Sequence, residues 1–210
     1  MRVRKKKWAM GELLDNPLIL GDTGLNISGF FDNPDLPLHL EIGCGKGRFI
    51  TQMSHRHTDI NFAALERDPT IVAHAARLAR QCGAMRNLKF IIADVDFIED
   101  FFKPDDIARL YINFCDPWPT KKKRARRRLT HDRYLNVYEK LKIPQIFFKT
   151  DNRVLFEFSI ESFSRLGWLI SNVSLDLHKS DYKENIVTEY EEKFSAHGPI
   201  YRLEATKTCE

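Results

Sequence analysis

The sequence predicts an α/β fold built on a doubly wound, mostly parallel sheet, and two observations carry that reading. From about residue 38, short β-rich segments alternate with amphipathic helical ones, which is the rhythm of successive βαβ units. Glycines at 43, 45 and 47 fall between the first clear strand and the helix after it, where they let the backbone turn tightly and come close to a ligand. The 210 residues, 43% of them hydrophobic, suffice for one domain with a sizeable core and a modest extension.

Residues 1–35 carry Asn16-Pro17, Gly21, Gly24, Gly29 and Asn33-Pro34, so they read as an irregular, basic N-terminal arm ahead of a single domain over 36–210. Residues 38–42 form the first strand, and after the glycine loop a helix runs to about residue 57. Residues 61–66 are short, apolar and end on charge, as a second strand would. The next helix is marked at both ends: Asp68 is its N-cap, Pro69 suits its first turn, and Gly83 stops it. Ile71, Ala75, Leu78 and Cys82 make one stripe along it. Residues 88–93, 108–115 and 145–150 supply three more strands, with helical segments near 97–103 and 131–142. A helix over 153–165 leads through Gly167 to a strand near 168–175. A polar connection over 178–189 precedes a last strand near 200–205.

The composition excludes several classes. No uninterrupted apolar run exceeds four residues, so no membrane span is expected, and the basic N-terminus lacks the apolar stretch of a secretory signal. Cys44, Cys82, Cys115 and Cys209 form no C-x-x-C pair, which argues against structural zinc or a disulfide framework and for a reducing cytoplasmic setting. Cys115 reads as a small buried residue at a strand end. The seven histidines lack metal-ligand spacing, and His55 with His57 cannot share a helical face. No metal site is expected.

The net charge of +4 conceals an uneven distribution. Arg2, Arg4, Lys5, Lys6 and Lys7 crowd the first seven residues, and Lys121, Lys122, Lys123, Arg124, Arg126, Arg127 and Arg128 fill 121–128. Those twelve leave 21 of the 33 basic residues to face 29 acidic ones elsewhere. An acidic body with two basic patches suits a phosphate-rich polymer held at chosen places.

Three acids end three successive strands. Glu41 lies beside the glycine loop, where it would repel a pyrophosphate and suits a cationic ligand. Glu66 is placed to accept hydrogen bonds from ribose hydroxyls, and Asp94 to read an adenine amino group. The Gly43-Cys44-Gly45-Lys46-Gly47 spacing also departs from the dinucleotide pattern. Together these features favour S-adenosylmethionine over a nicotinamide cofactor.

After the fourth main strand, Asn113-Phe114-Cys115-Asp116-Pro117-Trp118-Pro119 makes a stiff turn that runs into the basic tract. This turn, the segment Glu41 to Gly47, the run Phe148-Lys149-Thr150-Asp151-Asn152-Arg153 and the run Thr188-Glu189-Tyr190-Glu191-Glu192-Lys193-Phe194 occur in the order in which they stand in one family. In them the sequence resembles the bacterial tRNA (guanine-N7-)-methyltransferases over essentially the whole chain.

The resemblance implies a Rossmann-like, seven-stranded class I methyltransferase fold. It also implies S-adenosylmethionine-dependent methylation of guanine N7 in the tRNA variable loop by a single polypeptide. Matched by position, Glu41, Gly43, Gly45, Gly47, Glu66, Asp94 and Asp116 would form the cofactor site, with Asp116 also the catalytic residue. Asp151, Thr188, Glu189, Tyr190 and Glu191 would hold the target nucleotide, with Lys121 or Lys122 also at the substrate because Thr120 intervenes after the turn. Lys122, Lys123, Arg124, Arg126, Arg127 and Arg128 would contact RNA. Trp118 and Tyr190 are candidates to stack on an extruded base. Trp8 is open between packing on the body and touching RNA. The rival readings are a nicotinamide oxidoreductase, a non-catalytic RNA-binding protein on the same sheet, and methyl transfer to another acceptor.

Overall fold

In the computed structural model, the described residues are 7–20, 27–83, 86–119 and 121–207. Arg2, Arg4, Lys5, Lys6, Gly21, Gly24, Thr120 and Cys209 lie outside them, as do the side chains of Lys7 and Lys122. The chain divides into two compact units, Met1–Asp106 and Ile107–Glu210.

The first unit holds the strands β1 (Ile19–Leu20), β2 (Leu38–Ile42), β3 (Asn61–Glu66) and β4 (Leu88–Ile92), ordered β1-β4-β3-β2. All three pairings are parallel. Its helices are α1 (Lys7–Asp15), α2 (Arg48–Arg56) and α3 (Pro69–Gln81). β2 is buried along its whole length, the polar His39 and Glu41 included, and β3, a short apolar run, along all but its last residue, as befits strands covered on both faces. Asp68 caps α3 as expected, accepting from the amides of Thr70 at 2.8 Å and Ile71 at 3.3 Å. The buried face of α3 differs from the expected stripe: it is Val72, Ala73, Ala75, Ala76 and Ala79, while Cys82 is exposed. Small side chains win that face because the glycine loop packs against it.

The N-terminal segment is not irregular throughout. α1 lies on α3 through the buried Glu12, which takes Arg77 Nε and Arg80 Nη2 at 3.2 Å each and Asn16 Nδ2 at 2.9 Å. Trp8 packs edge-on against His74 at 4.5 Å, with the Arg77 guanidinium 4.0 Å above its ring. This accounts for Trp8 as a packing residue. The helix is nine residues long, too short to persist alone; its contacts are long-range and leave no local signal. β1 then joins the sheet beside β4, adding one strand to the expected seven.

The second unit is ordered β5-β6-β8-β7, from β5 (Ile107–Asn113), β6 (Gln145–Thr150), β7 (Leu169–Ser174) and β8 (Tyr201–Thr206). β5 and β6 are parallel, and the last strand enters antiparallel between β6 and β7. α5 (Asp132–Lys140) and α6 (Arg153–Arg165) stand close to their expected bounds. Leu155, Phe156 and Phe163 of α6 are buried, and Phe156 stacks on Phe148 of β6. Two short helices complete the unit, α4 (Lys122–Ala125) and α7 (Glu189–Phe194). The helix expected near 97–103 is instead a 3-10 segment, Val95–Asp100. Among the described residues no helix is long and apolar enough to cross a membrane, and no cluster of His, Cys, Asp or Glu could hold a metal ion.

Candidate functional site

In the first unit the glycine loop joins β2 to α2 and is tied to the end of β3. Gly43 N donates to Leu65 O at 2.7 Å, and Gly47 N to Cys44 O at 3.0 Å. All three glycines have positive φ, between 55° and 78°. A side chain at Gly43 or Gly45 would meet nothing within 4 Å, whereas one at Gly47 would lie 2.8 Å from Ala75 Cβ. The first two glycines thus leave room beside the loop, and the third lets α3 approach.

Carboxylates surround that loop. Burial and then the charges of Glu41 and Glu66 push the Cys44 thiol well above its ordinary value. Glu41 is 2% exposed. Glu66 accepts from Asp68 N at 3.1 Å. Burial raises its pKa despite the opposing amides of Asp68, Gly45 and Arg67. Asp94 begins the 3-10 segment, accepting from Asp96 N at 3.2 Å.

In the second unit Asp116 is exposed on the turn after β5. The turn is strained: Phe114 and Trp118 have φ of 50° and 26°, values that side chains rarely adopt. This is why β5 stops at Asn113 rather than 115. Asp151 follows β6, and the Tyr190 hydroxyl donates to its Oδ2 at a long 3.5 Å. Burial, then the Asp151 charge and hydrogen bond, then the Asp116 charge, hold the Tyr190 phenol above its usual range. Its ring stacks on that of Phe194 at 4.2 Å and is tilted against that of Phe114 at 5.2 Å.

The family model described as "Putative methyltransferase" matches residues 35–203. A tRNA (guanine-N(7)-)-methyltransferase of Listeria monocytogenes serovar 1/2a is 46% identical over 212 residues, covering 98% of each chain. That of Bacillus subtilis strain 168 is 44% identical over 211 residues, covering 97% of this chain and 98% of its own. The chain belongs to the tRNA (guanine-N(7)-)-methyltransferase family. A solved antibiotic-related methyltransferase has the same fold, with a TM-score of 0.60 at 18% identity, covering 87% of this chain and 91% of its own.

For this methyltransferase, two of the residues expected to touch the substrate or RNA are buried in the structure. Arg128, expected at the RNA, is 2% exposed and turned inward onto the carbonyls of Pro117 and Trp118. Glu191, expected at the nucleotide, is fully buried. Its two oxygens receive Lys149 Nζ at 2.6 Å, Asn185 Nδ2 at 2.7 Å, His178 Nε2 at 2.9 Å and Thr188 N at 3.4 Å. Thr188 is also occupied, its Oγ1 accepting from Glu191 N at 3.0 Å to close the capping box of α7. These two residues build the segment that presents Tyr190 and the half-buried Glu189. The rest of the tract, Lys121, Lys123, Arg124, Arg126 and Arg127, is exposed.

Lys149 was not singled out from the sequence. Its Nζ also donates to Ile186 O at 2.8 Å and Asn185 Oδ1 at 3.0 Å. The signal was a lysine inside the otherwise apolar strand Ile146-Phe147-Phe148-Lys149, because a charge in such a place needs a buried partner.

Proposed function

We propose that this methyltransferase transfers the methyl group of S-adenosylmethionine to N7 of a guanosine in the variable loop of tRNA, acting as a single polypeptide in the cytoplasm. The family match begins at residue 35, which supports reading 36–210 as one catalytic domain behind an N-terminal arm. The observation that carries the acceptor reading is Tyr190, an exposed aromatic ring held against the Asp151 carboxylate.

The residues of the glycine loop fit a cationic, ribose-bearing cofactor. Gly43 and Gly45 leave open space beside the backbone, and Glu41 and Glu66 both impose negative charge there. Glu41 would face the ammonium group, Glu66 the ribose hydroxyls and Asp94 the adenine, with Asp116 completing the set. When bound, the cofactor supplies an electrophilic methyl group on a sulfonium centre.

The chain's own work is positioning and charge stabilisation. Guanine N7 presents a lone pair and no proton, so no general base is required, and alignment supplies most of the acceleration. Positive charge builds on the guanine as the methyl arrives. Asp116, Asp151 and Glu189 favour that charge. Tyr190 offers a stacking face to the base, and its hydroxyl donates to Asp151. Either Lys121 or Lys122 meets the substrate, and Lys123, Arg124, Arg126 and Arg127 bind the RNA backbone.

The test is to incubate the purified chain with unmodified tRNA transcript and methyl-labelled S-adenosylmethionine, then identify the labelled nucleoside by mass spectrometry. The expected product is 7-methylguanosine in the variable loop. RNA binding without label would support a non-catalytic binding protein instead.

A further inference from the structure

The basic tract ends in a residue of different character from the rest. Arg128 is 2% exposed, whereas Arg124, Arg126 and Arg127 lie in solvent. Its Nε stands 2.9 Å from both Pro117 O and Trp118 O, and its Nη2 donates to Trp118 O at 2.7 Å. The guanidinium packs over the Phe158 ring at 4.5 Å. One guanidinium therefore grips two successive carbonyls, immediately after Asp116.

The opposite end of the turn is pinned as well. Phe114 N donates to Lys149 O of β6 at 2.9 Å. Between these anchors the backbone departs from its preferred conformations at Phe114 and at Trp118. Such strain persists only where surrounding contacts over-determine it. A buried arginine is a costly way to fill space, and its Nη1 has no hydrogen-bond partner among the described residues. An apolar side chain would fill the same volume at less cost, so the carbonyl contacts are what the arginine specifically supplies.

We propose that Arg128 is a positioning residue for methyl transfer: it fixes the Asp116-Pro117-Trp118-Pro119 turn and does not bind RNA. The inference rests on reading that turn as part of the reaction site. Lysine cannot replace the function, because a single ammonium lacks the planar fork that spans both carbonyls. The neighbouring Arg127, itself exposed, lies over the Trp118 ring at 4.9 Å, so two adjacent arginines contact the turn, one buried and one in solvent.

The test measures Arg128→Lys, Arg128→Ala and Asp116→Ala on unmodified tRNA transcript, with tRNA affinity determined at several salt concentrations. For Arg128→Lys, kcat is expected to fall about 10- to 100-fold, the loss that a small misplacement of reacting groups causes. Its tRNA Kd and salt slope should stay at the parent values. Added guanidinium ion should restore part of the turnover of Arg128→Ala. If Arg128→Ala does not fold, Arg128→Lys carries the test. Parent kcat in Arg128→Lys overturns the proposal, as does a weakened Kd with a flattened salt slope, which would return Arg128 to the RNA interface. Asp116→Ala separates the two levels: if it is inactive beside a fully active Arg128→Lys, only this inference fails, whereas normal turnover in Asp116→Ala removes the turn from the reaction site altogether.

Discussion

Lys149 Nζ lies 2.6 Å from Glu191 Oε2, and both side chains are almost wholly withdrawn from solvent. The pair joins β6 to the N-terminal turn of α7, so the segment that presents Tyr190 is fastened to the strand that Asp151 follows. Removing one member strands the other charge in the interior. We expect Lys149→Met to cost about 3–5 kcal/mol in urea denaturation, and Lys149→Met with Glu191→Leu to recover most of that loss. A single variant as stable as the parent would show that the pair does not hold this segment.

The same pair sets an acid limit. Burial pushes the Glu191 carboxyl up, but the Lys149 charge and hydrogen bonds from Lys149, Asn185 and Thr188 outweigh it and hold the pKa below the ordinary carboxylate value. A depressed acid pKa gives stability that is complete above the unfolded value and is lost as pH falls through the folded one. Hydrogen exchange of the 185–194 amides should therefore accelerate at acid pH, below the usual glutamate range. In Glu191→Gln that acid step should be absent.

Glu66 has the opposite sign. Burial raises its pKa, so its ionised form weighs against the folded state once pH passes the unfolded value. Glu66→Gln should raise the melting temperature of the cofactor-free protein at neutral pH. The same change should weaken S-adenosylmethionine binding by about 10- to 100-fold, the size of a hydrogen bond to a charged group. Calorimetry of both properties checks the trade, and a variant that gains or loses on both counts refutes it.

The sheet and the glycine loop were legible because their signals are local. Asp68, Pro69 and Gly83 bracket α3, apolar runs mark β3 and β6, and the glycine loop marks the end of β2. α1 and β1 were not legible: Glu12 finds its partners at Arg77 and Arg80, contacts that no short window contains. α7 was missed although Thr188-x-x-Glu191 is a capping box; six residues are too few for an apolar period to show. Within the candidate site, residue types indicated charge but not direction. Arg128 and Arg127 are neighbours in one basic run, and only the three-dimensional fold turns the first inward.

Gly47 and Gly43 should respond differently to alanine. Both have left-handed φ, 78° and 72°, which costs a side chain about 1–2 kcal/mol. At Gly47 the new methyl also meets Ala75 Cβ at 2.8 Å, and forcing α3 away adds about 1–3 kcal/mol. Gly47→Ala should be clearly the less stable variant by thermal denaturation. Gly43→Ala should show its larger effect in cofactor affinity, since its methyl points into open space beside the loop. Equal melting temperatures would contradict this division of labour.

The exposed part of the basic tract governs RNA affinity in the proposed function, and salt dependence isolates it. Each phosphate neutralised by a cation releases counterions, so log Kobs falls with log salt by roughly 0.7–0.9 per contact. Lys123, Arg124 and Arg126 are all exposed, and α4 with the turn after it carries them together. Replacing all three by glutamate should lower tRNA affinity steeply at low salt and reduce the slope by about 2–3. Because Arg128 faces the Pro117 and Trp118 carbonyls, it contributes nothing to that slope. A triple variant whose slope matches the parent's would take the tract away from the RNA and leave the acidic body without its counter-surface.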